Sequence, residues 1–308
     1  MHSPSLSERL ESGRPVLMDG ALSTELSNRG LVFNERDWLH VNLDQPDLVA
    51  DIHASYSRAG AELHIANSFA TAKHVTEHYG SPGSFEELNR AAVSVCRDAI
   101  DAAAPHPQWI AGSISTYAPD HDRSKLPSHS VLEANCREQA LILADAGCDM
   151  IALEMIADGT TGAAMLKGAT AAGLPVSIGL ICERLEDGTL TMTQKYLGSK
   201  SITESLQEIL EVAPAEVPII ATIMHSDVAD TPAALDEVRH VWTGKVGVYP
   251  HTGRPDRVGG WDMREACNEI EFAQACIASV ERGACLVGGC CGVGPHYIST
   301  LAEQLSIL

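Results

Sequence analysis

Arg282-Gly283-Ala284-Cys285-Leu286-Val287-Gly288-Gly289-Cys290-Cys291 is the stretch whose reading decides the fold. It runs from a helix end on glycine, through a short apolar strand, to a Gly-Gly pair that carries two adjacent cysteines. Glycine commonly ends a helix because it accepts the left-handed conformation there. The same device recurs at Arg58-Ala59-Gly60-Ala61 and Asp145-Ala146-Gly147-Cys148, and Gly173 stands in the same position before another apolar run. Such recurrence marks repeated βα units. The strand candidates are 15–19, 61–67, 109–113, 150–154, 175–182, 218–225, 245–249 and 284–288. Helical spacing of apolar residues fills the segments 46–59, 84–104, 131–146, 161–172, 201–212, 232–242 and 263–282. Runs such as Ile219-Ile220-Ala221-Thr222-Ile223-Met224 are apolar with little alternation, as in a parallel sheet covered on both faces. Eight such units in 308 residues predict an α/β fold with one (β/α)8 TIM-type barrel spanning 1–308. A doubly wound open sheet fits less well, since no G-x-G-x-x-G follows the first strand. The polar stretches 117–130 and 252–261 read as insertions after the third and seventh strands.

Composition narrows the classes of function. With 45% hydrophobic and 20% charged residues the chain has the balance of a soluble globular protein. A net charge of −20 argues against a nucleic-acid groove or an anionic membrane surface as partner. No apolar run approaches the ~20 residues of a membrane span. Nine cysteines in a chain this long is not disulfide density, and Met1-His2-Ser3-Pro4 lacks the order of a signal peptide. A reducing, cytoplasmic setting is therefore expected. Oligomeric state is open, with a homo-oligomer compatible.

In a barrel the chemistry lies where the strands end. Those ends are Asp19, Asn67, Ser113, Glu154, Cys182, His225, Tyr249-Pro250-His251 and Cys290-Cys291. Along a strand two neighbouring side chains point to opposite faces, so adjacent cysteines cannot ordinarily aim at one point. The two preceding glycines tolerate φ > 0 and a sharp turn, which would swing both sulfurs to one side. That makes Cys290-Cys291 a half-site for a thiophilic metal, zinc above all. The plainer alternative is a pair of small buried hydrophobes at a turn.

Several of these ends also carry a family resemblance. Leu17-Met18-Asp19-Gly20-Ala21-Leu22-Ser23-Thr24-Glu25-Leu26 resembles the opening motif of the homocysteine S-methyltransferases, zinc-dependent thiol methyltransferases that include the betaine and S-methylmethionine enzymes. Ala66-Asn67-Ser68-Phe69, Ala111-Gly112-Ser113-Ile114, Leu153-Glu154-Met155 and Tyr249-Pro250 are similar to its later strand ends. Gly288-Gly289-Cys290-Cys291 with Pro295 resembles its G-G-C-C…P-x-H signature, although His296 comes one place early. The resemblance spans about residues 14–298 and implies a (β/α)8 barrel. It also implies transfer of a methyl group from a sulfonium or ammonium donor (S-methylmethionine-like, S-adenosylmethionine or betaine) to a zinc-bound thiol such as homocysteine, forming methionine. The implied partners are thus a small-molecule thiol acceptor and a cationic methyl donor, and the implied cofactor is Zn²⁺.

One departure is chemical. The family supplies a third cysteine at the end of its sixth strand, whereas here His225 falls on that position. Neutral imidazole is a common zinc ligand, so the expected set is His225, Cys290 and Cys291 with one open position. The alternatives are a histidine that merely caps a strand, or Cys182 as the replacement sulfur. Two thiolates and an imidazole leave a Zn²⁺ site neutral where three thiolates leave it negative, which makes it the stronger Lewis acid. By the same resemblance Glu154 holds the acceptor's amino group, against a helix-start acid. Asp19 either contacts the same ligand or makes a local turn. Asn67 and Ser113 are supporting candidates, and Tyr249 is a candidate face for the donor's positive charge. Two rival functions stand beside this one: a water-activating zinc hydrolase on the same barrel, and a non-catalytic amino-acid or thiol binder.

Overall fold

The structure is a computed structural model that describes residues 4–31, 35–80, 85–104, 106–193, 200–255, 261–262 and 267–307. Eight parallel strands carry the fold: β1 (Val16–Leu17), β2 (Leu63–Ala66), β3 (Trp109–Ser115), β4 (Met150–Ile156), β5 (Val176–Arg184), β6 (Ile219–Asp227), β7 (Lys245–His251) and β8 (Ala284–Val287). Their order around the sheet is β1-β8-β7-β6-β5-β4-β3-β2. A parallel bridge between Met18 and Leu63 brings the two ends together. Glu62 N–H donates to Leu17 O at 2.7 Å and Asp19 N–H to Leu63 O at 3.0 Å across that seam. The sheet is therefore a (β/α)8 barrel, in line with the strand count.

Alternation along the strands divides the apolar residues into two layers. Val16, Met18, Leu63, Trp109, Ala111, Met150, Ala152, Ile181, Ile220, Met224, Tyr249 and Leu286 fill the interior. Leu17, Ile110, Leu153, Ile178, Ala221, Ile223, Val248 and Val287 face the helices. Helix Phe85–Ala103 shows why its segment is helical: Leu88, Ala92, Val93, Cys96, Ala99 and Ile100 recur at helical spacing and are the apolar residues it buries. The glycines read as helix stops, Gly60, Gly147, Gly173 and Gly283, all adopt positive φ, at 104°, 105°, 68° and 87°.

Five helices were not anticipated: Leu6–Leu10, Leu22–Asn28, Glu35–Asp44, Lys73–His78 and Pro295–Leu305. The first plugs the N-terminal mouth of the barrel. Its Leu6 and Leu10 join the interior cluster, and Arg9 is held by Glu62 at 2.7 Å. A capping box between Ser5 and Glu8 starts this helix. β5 also runs past its expected end and folds back on the short strand Leu190–Met192. The 117–130 insertion contains two 3₁₀ turns, Pro119–His121 and Arg123–Lys125. Of 252–261, residues 256–260 lie outside the described residues.

The Gly-Gly pair works differently from the expectation. Positive φ in this loop is found at Gly292, at 80°, and not at Gly288 or Gly289. Both are needed for close approach instead. A Cβ on Gly288 would lie 2.5 Å from Met18 Cβ and 2.9 Å from Asp19 O, against the neighbouring β1. One on Gly289 would lie 2.2 Å from Val293 Cγ1. Gly288→Ala should therefore force β8 away from β1 and destabilise the protein by about 1–3 kcal/mol, read as a lower urea midpoint at unchanged slope. An unchanged midpoint would show that the seam is not tightly packed.

Candidate functional site

At the C-terminal mouth, three side chains from two strand ends converge. His225, Cys290 and Cys291 each present a ligand atom, all within 4.8 Å of one another. Cys290 Sγ is 3.5 Å from His225 Nδ1 and 3.9 Å from Cys291 Sγ. The loop that holds the cysteines is pinned at every turn. Gly289 N–H donates to Asp19 O, Cys290 N–H to Pro250 O, and Thr252 N–H to Cys291 O. Gly292 N–H donates to the Thr24 hydroxyl at 3.0 Å.

His225 reaches this point by a break in strand geometry. Met224 faces the barrel interior, so simple alternation would turn His225 outward to the helix layer. Instead His225 adopts φ 42°, a left-handed conformation uncommon for a non-glycine residue. The register of β6 against β7 shifts between Met224 and Asp227, as at a bulge. The Ser226 hydroxyl stabilises the kink, donating to Met224 O at 2.8 Å and accepting Cys182 N–H at 2.9 Å. The His251 ring, on the next strand, meets the His225 ring edge-on at 4.9 Å.

β4 repeats the device. Met155 adopts φ 62° where the β4–β5 register shifts between Leu153 and Ile156. Its backbone is held by Thr116, whose hydroxyl donates to Met155 O at 2.7 Å. The preceding Glu154 is buried and accepts a hydrogen bond from the Ser113 hydroxyl. Burial pushes its carboxyl up to about 7, against the opposing pull of the Ser113 hydrogen bond. The Tyr249 hydroxyl faces the same carboxylate without reaching hydrogen-bond geometry. Burial and the nearby Glu154 keep that phenol above its usual range.

The remaining candidates fall into supporting positions. Asp19 lies on the β1–β2 seam, where its Oδ2 accepts Ile65 N–H at 3.0 Å. Burial raises its carboxyl well above the usual range. The Asn67 amide is engaged by helix Glu35–Asp44: its NH₂ donates to Asn42 Oδ1 at 3.0 Å, and its Oδ1 accepts Trp38 Nε1–H at 3.2 Å. Cys182 belongs to the outer layer between sheet and helices, while its neighbour Ile181 takes the interior. It therefore does not join the His225 group. Burial pushes its thiol up to about 12. Sequence reasoning missed an aromatic group at the ends of β2 and β3. Trp38 stacks on Phe69 at 5.2 Å, and Tyr117 meets Trp38 edge-on at 5.6 Å.

The donor set fits a tetrahedral thiophilic ion. Metal–sulfur bonds of ~2.3 Å and metal–nitrogen bonds of ~2.05 Å place two sulfurs about 3.8 Å apart, and a sulfur and nitrogen about 3.6 Å apart. The observed separations are 3.9 and 3.5 Å. Without a cation the arrangement is unfavourable for thiolates. The hydrogen bond to Cys291, and then burial, hold the Cys290 thiol well above the ordinary cysteine range. A bound cation reverses that preference and deprotonates its coordinating thiols.

Comparison with known proteins gives a consistent result. A family profile described as homocysteine S-methyltransferase matches residues 16–305. Methionine synthase of Mycobacterium leprae is 27% identical over 95% of this chain, which spans only 24% of that protein's length. Selenocysteine methyltransferase of Astragalus bisulcatus is 24% identical over 99% of this chain and 97% of its own. The metallated form of the homocysteine methyltransferase MmuM from Escherichia coli superposes with a TM-score of 0.76 at 22% identity, covering 97% of this chain and 99% of that one. Among the described residues, no helix is long and apolar enough to cross a membrane.

Glu154 makes a testable statement about stability. Its folded-state pKa, about 7, lies above the ordinary 4.5, so the native state binds this proton more tightly than the unfolded chain does. Stability is therefore lost as pH rises between those values, by on the order of 3 kcal/mol in full. In chelator-treated protein, Glu154→Gln should unfold at a higher urea concentration than wild type at pH 8, and at a similar one at pH 5. A variant less stable than wild type at pH 8 would show that the carboxylate is stabilised by its surroundings.

Proposed function

From the premise that the chain belongs to the homocysteine S-methyltransferase family and is a methyltransferase, we propose that it methylates the thiol of homocysteine, forming methionine. The methyl group comes from a cationic sulfonium or ammonium donor, and Zn²⁺ is held by His225, Cys290 and Cys291. The observation that carries the reading is the pair of separations at Cys290, 3.9 Å to sulfur and 3.5 Å to nitrogen, which match two edges of a zinc tetrahedron. When bound, the ion supplies the positive charge that keeps an acceptor thiol deprotonated at neutral pH.

The protein's own residues position the two substrates. Glu154, aimed by Ser113, offers a buried carboxylate to the acceptor's ammonium group. Binding that cation favours the ionised carboxylate, which offsets the cost of burying it. Asp19 braces the β1–β2 seam beside this pocket. Asn67 ties helix Glu35–Asp44 and Trp38 to the end of β2. Tyr249 and the Trp38–Phe69–Tyr117 group present aromatic faces to an onium methyl donor. A barrel mouth of this kind orients thiol and methyl group for in-line transfer. Free thiols at all nine cysteines suit a reducing compartment, the cytoplasm in this reading.

Elemental analysis and a methyl-transfer assay test the proposal together. Cys290→Ser and His225→Ala should each lower the zinc content by about one ion per chain relative to wild type. Each should also abolish methionine formation from homocysteine and S-methylmethionine or another onium donor. Zinc content unchanged in folded Cys290→Ser protein would overturn the metal assignment.

A further inference from the structure

A second group of metal-capable side chains lies in the barrel wall, apart from the Cys290-Cys291 loop. Asp19, at the end of β1, meets His64 of β2 and His53 of helix Pro46–Arg58, and one ligand atom of each lies within 4.8 Å of the others. The three residues are 2%, 0% and 0% exposed. Each carries a buried polar atom with no hydrogen-bond partner: Asp19 Oδ1, His53 Nε2 and His64 Nδ1. Leaving such an atom unpaired costs about 1–3 kcal/mol. Three in one cluster call for a shared partner.

The outer nitrogens identify that partner's chemistry. His64 Nε2 lies 2.9 Å from Gln108 Oε1, an acceptor, so the proton sits on Nε2 and the Nδ1 lone pair faces Asp19. His53 Nδ1 lies 3.7 Å from Cys96 Sγ, which leaves Nε2 to face the cluster. One ring nitrogen bonded outward and the other aimed at a common point is how metal-binding histidines are oriented. Burial lowers His53 to about 3 and His64 to about 4, so both imidazoles are neutral at pH 7, as ligands must be. His64 Nδ1 and Asp19 Oδ2 are 3.9 Å apart, beyond a direct hydrogen bond.

We propose that Asp19, His53 and His64 form a second divalent-metal site of the zinc class, which ties helix Pro46–Arg58 to the β1–β2 seam. Two imidazoles and a carboxylate suit zinc, with a fourth position for water. A tetrahedral ion holds such nitrogen and oxygen ligands about 3.4 Å apart. The atoms therefore close on the ion by on the order of 1 Å. Asp19 is already fixed through Ile65 N–H to its Oδ2, so the adjustment falls on the two rings. The site is buried and its role is structural.

Metal counting with cobalt spectroscopy tests this on the full chain. Wild type refolded with excess Zn²⁺ and then desalted should retain two ions per chain, and His64→Leu one. The double variant Cys290→Ser/Cys291→Ser should still retain one. Its Co²⁺ form should show visible ligand-field bands without the near-ultraviolet thiolate charge-transfer band of the cysteine site. A folded double variant that binds no Zn²⁺ or Co²⁺ overturns the proposal, leaving a buried water as the partner. So does a His64→Leu protein that keeps two ions. If His64→Leu does not fold, the double variant decides alone. Loss of the thiolate band with a second ion retained separates this site from the one at Cys290.

Discussion

A β-strand sends successive side chains to opposite faces, and this site exists because the barrel breaks that rule at three alternate strand ends. At β6 and β4 the break is a non-glycine residue in the left-handed region, His225 or Met155, at a register shift. At β8 it is a glycine pair pressed so close to β1 and Val293 that no side chain fits. Backbone conformations of this kind cost on the order of 1–3 kcal/mol each and persist only where the surroundings over-determine them. Here the surroundings are visible: Ser226 under His225, Thr116 under Met155, and a run of loop hydrogen bonds under the cysteines. Breaking strand geometry is what lets a side chain that would otherwise face the helices, His225, meet the two cysteines.

The electrostatics follow from that geometry. Glu154 is buried at the end of an interior filled by Met224, Ile181 and Tyr249, with few groups to solvate charge, and is pushed to about 7. The Cys290 thiol is also held well above its ordinary range, by its hydrogen bond to Cys291 and then by burial. These surroundings by themselves therefore disfavour the charged forms that the proposed reaction uses. An ammonium group and a metal ion bound here, as proposed, would each offset that penalty. The preference for cations is thus built from burial more than from the protein's overall charge.

Much of this was legible in the sequence, and what was missed has physical causes. The strands and long helices announced themselves through apolar runs and glycine stops, because Gly60, Gly147, Gly173 and Gly283 have a conformation that other residues resist. His225 and the cysteine pair were readable as candidates from their places at strand ends. The plug helix Leu6–Leu10 was not, since five residues are too few to show a period. Nor was the turn at His225, because a left-handed histidine or methionine leaves no mark in composition. Gly288 and Gly289 were noticed for the wrong property: glycine serves both positive φ and close approach, and only packing distinguishes them.

Asp19 shows how closely these functions are coupled. Its backbone N–H completes the β1–β2 seam, its carbonyl receives Gly289 N–H and so fixes the start of the cysteine loop, and its carboxylate takes Ile65 N–H. Three different bonds from one residue thus join barrel closure, cysteine loop and wall. The first two are backbone bonds and survive any side-chain substitution. The third does not, and β2 would lose an acceptor for a buried donor if it were removed. A side-chain acceptor at this position is therefore required by the seam itself, before any ligand is considered. The Asp-Gly pairing has the same origin, since a Cβ on Gly20 would lie 2.2 Å from Val293 O, the acceptor of Tyr56 O–H and Ala21 N–H. The opening motif of the chain is in this sense a closure device first, and the site inherits its precision from it.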